Sequence, residues 1–170
     1  MDMITLTEKN VGAEQDDVQK TNDTQTRHRV CVILLNHAKQ VALLDVLKHN
    51  YHILPGGKQE NNESPETALD RETLEETGCN IKETKHLGEI KEICRRLGLT
   101  QITQCFIAKV DIITQQTLTK VEHHHGMHLG WYPLAEAIEI VNNDQPNVYS
   151  GKFIKKRELA FLTEFQKSQS

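Results

Sequence analysis

Residues 57–79 read GKQENNESPETALDRETLEETGC, and the reading of this stretch decides the fold. It follows a Pro55-Gly56-Gly57 turn, crosses a short polar loop and enters a segment rich in glutamate. The start of a helix is spelled out locally: Ser64 suits the N-cap, Pro65 the first helical position and Glu66 the first turn. Gly78 supplies the left-handed residue that ends a helix. At about 100° per residue, Glu72, Glu75 and Glu76 share an arc of about 100° on one face. Glu72 and Glu76 are a like-charge i,i+4 pair, which costs an isolated helix roughly 0.2–0.5 kcal/mol. A hard divalent cation held by oxygen ligands offsets that repulsion, and Mg2+ brings its own waters and substrate phosphates to such a site.

The segment resembles the Nudix box: glycine, five residues, glutamate, seven residues, then Arg-Glu-aliphatic-any-Glu-Glu-any-Gly-aliphatic. Gly57, Glu63, Arg71, Glu72, Glu75, Glu76 and Gly78 fill that pattern in register. Two aliphatic slots depart from it, Thr73 and Cys79, both small enough to be buried. The resemblance covers roughly residues 27–145. It implies an α+β chain with the Nudix fold, a mixed β-sheet sandwiched between α-helices.

It also implies a chemistry. A diphosphate repels nucleophiles, so its hydrolysis needs charge neutralisation on the phosphoryl oxygens and a positioned water. By resemblance the metal-binding set is the Gly56 carbonyl with Glu72, Glu75 and Glu76, for Mg2+ with Mn2+ as a substitute. Glu75 and Glu76 are then catalytic, and Gly57, Glu63, Arg71 and Gly78 support the loop and helix. Arg71 is read as an ion pair orienting a glutamate, with direct phosphate contact as the alternative. Glu60 either reaches the metals or faces solvent. The general base is assigned to Glu122, in the segment before Trp131, with Glu92 as the second candidate.

The expected activity is cleavage of the diphosphate of a nucleoside diphosphate linked to another moiety. The Pro-Gly-Gly-Lys-x-Glu lead-in (Lys58, Glu60) resembles the branch acting on nucleoside triphosphates, including oxidised guanine nucleotides. A hydrolase of ADP-ribose or nucleotide sugars is the alternative within the family. A non-catalytic nucleotide-binding sensor is the alternative outside enzymology, disfavoured because every box glutamate is retained.

Composition agrees with a small enzyme acting on a small-molecule nucleotide. A chain of 170 residues holds one domain with a real core. The net charge of −4 resides in the first 26 residues, and the remainder is formally neutral, with no polybasic run for a nucleic-acid duplex or a membrane surface. Cys31, Cys79, Cys94 and Cys105 are scattered, with no C-x-x-C pair. No signal peptide and no apolar run of about 18 residues is present, so a reduced cytoplasmic setting is expected, for a monomer or a homodimer.

Residues 1–26 read as a flexible polar tail in which only residues 3–6 could form a short strand, and residues 27–170 as the domain. Residues 30–35 form an apolar, β-branched run of the kind buried on both faces, and residues 41–47 its hairpin partner. Strands are expected at 83–94, 101–110 and 128–132, and helices at 134–141 and 152–166. His123, His124, His125 and His128 are read in an extended loop. Successive side chains there alternate faces, which argues against one dedicated zinc site and leaves a substrate contact or a solvated loop. Lys152, Lys155, Lys156 and Arg157 read as a solvated helix face.

Overall fold

The computed structural model describes Met1, residues 3–13 and residues 25–169. The strands are β1 (Ile4–Thr7), β2 (Gln25–Leu35), β3 (Val41–Val46), β4 (Tyr51–Ile53), β5 (Cys79–Cys94), β6 (Leu99–Ile113) and β7 (Met127–Tyr132). The helices are α1 (Pro65–Thr77), α2 (Lys120–His125), α3 (Leu134–Asn143) and α4 (Tyr149–Ser168). The strands form one mixed sheet in the order β1-β5-β6-β2-β3-β4, with β7 paired along β3.

β2 explains the layering. Its alternate residues Val30, Val32 and Leu34 pack with Ala68 and Leu69 of α1. Cys31 and Ile33, pointing the other way, pack with Ala137 and Val141 of α3 and Phe161 and Leu162 of α4. A strand covered by helices on both faces has to be apolar at every position, which is why residues 30–34 show no alternation. β2 runs parallel to β6 from Gln25↔Leu99 to Leu35↔Lys109. β5 and β6 pair antiparallel, interrupted by register shifts near Ile81, Lys85 and Gly88. Those irregularities carry the strand back to Cys79, four residues before its expected start.

Several sequence readings change. The segment holding Glu122 and three histidines is the helix α2 and not an extended loop. Thr119 and Glu122 form a capping box and Gly126, at φ 67°, ends the turn. Arg157 lies in the core, 1% exposed, where a solvated position was expected. Near the N-terminus, β1 adds a parallel edge strand to β5, pairing Ile4↔Ile90 through Thr7↔Ile93. Glu8–Val11 form a 3-10 turn and Gln25 and Thr26 open β2, while the rest of the expected tail, residues 14–24, lies outside the described residues.

Candidate active site

The turn after β4 is laced onto β2. Val32 N donates to Pro55 O at 2.9 Å, Val30 N to Gly57 O at 3.0 Å, and Gln59 N to His28 O at 3.0 Å. Close approach dictates the two glycines. A Cβ on Gly56, whose φ is 143°, would lie 2.2 Å from Val30 O, and one on Gly57 would lie 2.1 Å from the Glu72 carboxyl carbon. The chain then enters α1, capped by Ser64 Oγ accepting from Thr67 N at 3.1 Å and closed by Gly78 at φ 68°. The two aliphatic slots that depart from the box pattern are both filled by buried residues, Thr73 and Cys79.

Arg71 gathers the loop and helix. Its Nε and Nη2 donate to the two Glu63 oxygens, each at 2.9 Å, and its Nη1 donates to Glu72 Oε1 at 2.8 Å. Nη2 also reaches Lys58 O at 3.2 Å, and Glu75 Oε2 lies 3.7 Å from Nη1. The Arg71 hydrogen bonds, helped by the Glu60 amide, hold Glu63 down at about 2. Glu60 contributes that backbone donor and is itself exposed.

The box glutamates differ in setting. Glu76 is 5% exposed, and its Oε2 accepts from Gly56 N at 2.6 Å. Burial pushes its carboxyl up to about 8, against Arg29 and the Gly56 hydrogen bond, with the charges of Glu72 and Glu122 adding to the rise. Glu72 is also raised by burial, opposed by Arg71 and Arg29. Glu75 is the most open of the three, its side chain 39% exposed.

Among the described residues no three His, Cys, Asp or Glu side chains converge as a closed metal cage. The donor set still fits a hard cation with open positions. Glu72 and Glu76 are carboxyl oxygen donors withdrawn from water at a backbone turn, where burial favours the neutral form, and a divalent cation bound there would favour the charged one. The histidines form no such set. His124 Nε2 meets Lys48 Nζ at 2.6 Å, and the His125 ring stands edge-on to His49 with centroids 4.8 Å apart.

The two base candidates occupy unlike places. Glu122 sits half-buried at the start of α2, its carboxylate accepting from Thr119 N at 2.6 Å, within electrostatic range of Glu76. Glu92 is buried and already engaged, accepting from Arg157 Nη1 at 2.9 Å and from Gln101 Nε2 at 2.5 Å. Sequence reading passed over Arg29, which donates Nη2 to Gly56 O at 2.5 Å beside the box. Its signal was faint: Arg27-His28-Arg29 places two cations on one face of a strand just before the apolar run.

The family model for the NUDIX domain matches residues 25–151, most of the chain. A search of curated proteins returns no significant match. Among solved structures, a MutT protein from Methanosarcina mazei superposes with a TM-score of 0.61 at 17% identity, covering 88% of this chain and 99% of its own. A Nudix hydrolase from Nitrosomonas europaea gives 0.59 at 18% identity, with coverage of 79% and 90%. A mutator MutT protein from Bacillus halodurans gives 0.55 at 26% identity, with coverage of 78% and 82%. Box geometry, sheet order and the matched family lead to one assignment: the chain belongs to the Nudix family and is a hydrolase of the pyrophosphohydrolase class.

Proposed function

We propose that this chain is a Mg2+-dependent pyrophosphohydrolase that cleaves the diphosphate of a nucleoside diphosphate linked to another group, with Mn2+ able to substitute. The observation that carries the reading is the buried Glu76 carboxylate, bonded to Gly56 N beside Glu72 at the mouth of a glycine turn. A carboxylate so placed gains from a divalent cation what it loses in hydration. Glu72, Glu75, Glu76 and the Gly56 carbonyl would hold the metal. When bound, it neutralises phosphoryl charge and lowers the pKa of a coordinated water.

The chain's own residues do the rest. The Gly56-Gly57 backbone admits a diphosphate where a side chain would block it. Arg71 keeps Glu72 in place while Glu63 ties the loop to α1. Glu122 is assigned the proton from the attacking water. Its carboxylate, held here by Thr119 N, would have to leave that cap to take the proton.

Glu76→Gln keeps size and helix propensity and removes an anionic donor. Turnover in a substrate panel with Mg2+ or Mn2+ should fall at least about 10²-fold, with circular dichroism unchanged. Wild-type turnover in that variant removes Glu76 from the site. Glu122→Gln should lower turnover with Mg2+ affinity retained, and Glu92→Gln serves as the comparison. A silent Glu122→Gln beside a crippled but folded Glu92→Gln would transfer the role to Glu92.

A further inference from the structure

The stretch between β6 and α2 lies against the end of α1. A helix leaves its last carbonyls without partners inside the helix, and here residues 114–117 supply several of them. Thr114 donates to Gly78 O twice, from N at 2.6 Å and from Oγ1 at 2.9 Å. Gln116 Nε2 donates to Glu76 O, and Thr117 N to Glu75 O at 2.8 Å. The fit is close: a Cβ on Gly78 would lie 2.8 Å from both Gln116 N and Thr114 O. Two of the carbonyls so engaged belong to Glu75 and Glu76, whose side chains are in the proposed metal-binding set.

The same stretch leads directly to the assigned base. Thr119, the N-cap of α2, stands two residues past Thr117, a span of at most about 7 Å of extended chain. Three residues further on, Glu122 acts electrostatically on Glu76. The far end of α2 is seated on residues 47–49. His124 Nε2 meets Lys48 Nζ at 2.6 Å, and a Cβ on Gly126 would lie 3.4 Å from that of Leu47. With both ends of α2 tied, rotation of the Glu122 side chain is the movement left to take its carboxylate off Thr119 N.

We infer that residues 114–117 are a strap that sets the separation of Glu122 from the glutamates of α1, with Gln116 as its positioning residue. This rests on the assignment of Glu122 as the base and adds a residue to it. The Thr114 bonds end on Gly78, outside the metal-binding set, whereas Gln116 holds Glu76 itself. Gln116 touches no reacting atom and acts through Glu122. A base has to sit within hydrogen-bond reach of the water it deprotonates, so a displacement of about 1 Å lowers the rate and leaves affinity alone. A strap that only finished the helix end would contribute stability and nothing to turnover.

Gln116→Met keeps the length of the side chain and removes its donor. The full chain is assayed with Mg2+ on the best cleaved of GTP, ADP-ribose, UDP-glucose and diadenosine tetraphosphate. In Q116M, kcat should fall about tenfold, with KM and the Mg2+ half-saturation point within about twofold of wild type. Glu122→Gln keeps an acceptor for Thr119 N and should lower kcat at least about 10²-fold. In the E122Q background, Q116M should cost less than about twofold more, the non-additivity of two residues acting through one group. Q116K, which keeps a donor, should recover most of kcat. Melting temperatures check folding, and Q116S removes the same donor should Q116M fail to fold.

Wild-type kcat in folded Q116M beside a crippled E122Q overturns the strap and leaves Glu122 as the base. A silent E122Q overturns the base assignment and the strap with it. Losses that multiply in the double variant, or a raised Mg2+ half-saturation point in Q116M, overturn the action through Glu122. A wild type that cleaves none of the four substrates overturns the enzymatic reading on which both depend.

Discussion

At His52, on β4 just before the glycine turn, two effects compete. Burial favours the neutral ring, but the hydrogen bond and charge of Asp144, with Asp45 behind it, outweigh burial and raise the imidazole above its ordinary 6.5. The contact is doubled. His52 N donates to Asp144 Oδ2 at 2.7 Å, and the ring Nδ1 lies 2.8 Å from Oδ1, while Asp45 Oδ1 stands 3.9 Å from Nε2. A group whose folded pKa is raised binds its proton more tightly in the native state. Its contribution is therefore complete below the unfolded value of 6.5 and fades as pH climbs through the folded value. The difference in melting temperature between wild type and His52→Gln should be widest near about pH 5.5 and shrink by about pH 8.5. A gap that stays constant, or widens with pH, would mean that His52 is held neutral.

The elements around the site are joined by one buried ionic group. Arg157 of α4 donates to Glu92 of β5 and to Glu158, its neighbour on the helix, with all three side chains at most 2% exposed. Gln101 and Thr103 of β6 add hydrogen bonds to Glu92 Oε2. Replacing Arg157 by Met leaves two carboxylates buried without their cation, which should cost about 3–5 kcal/mol in urea unfolding with the slope unchanged. A loss under about 1 kcal/mol would show that the network contributes little.

None of this network is visible locally, because Arg157 and Glu92 meet across 65 positions of sequence. On the sequence Arg157 simply continues a run of lysines. What could be read was what is encoded within a few residues: the Ser64 cap, the Gly78 stop, the glutamate face and the doubly buried strand. α2 was equally local, through Thr119 and Glu122, yet its histidines drew the reading toward an extended loop. The start of β5 was missed because its irregular pairing rests on β6, whose last paired residue, Ile113, sits opposite Cys79. At the site, the glutamate face of α1 was legible from helical spacing, and an ion pair between Arg71 and a glutamate was implied by the resemblance to the box. Arg29 was not, because its role depends on how the glycine turn folds back across β2.

Across the whole molecule, β1 closes the edge of the sheet opposite β4, well away from the glycine turn. Leu6 is buried in the core shared with α3 and α4. Glu8, in the 3-10 turn Glu8–Val11, is buried too. Its Oε1 accepts from Arg95 N at 2.5 Å and from Tyr149 Oη at 2.9 Å, and Arg95 Nη1 lies 3.6 Å from Oε2. Burial raises the Glu8 carboxyl, and these hydrogen bonds more than reverse the rise. Deleting residues 1–13 removes a core leucine, uncovers the β5 edge and leaves Tyr149 without its acceptor. The cost should be about 2–4 kcal/mol, the scale of one lost core side chain with its hydrogen bonds. For a chain of this length that lowers the melting temperature by roughly 5–15 °C. Turnover per folded molecule should hold at low temperature, since β6 and β5 separate β1 from the strand that carries Arg29. Leu6→Ala should reproduce a large share of the thermal loss. An unchanged melting temperature would mean that β1 is not held to the sheet in solution. A loss of turnover in the folded truncation would instead tie this edge to the site.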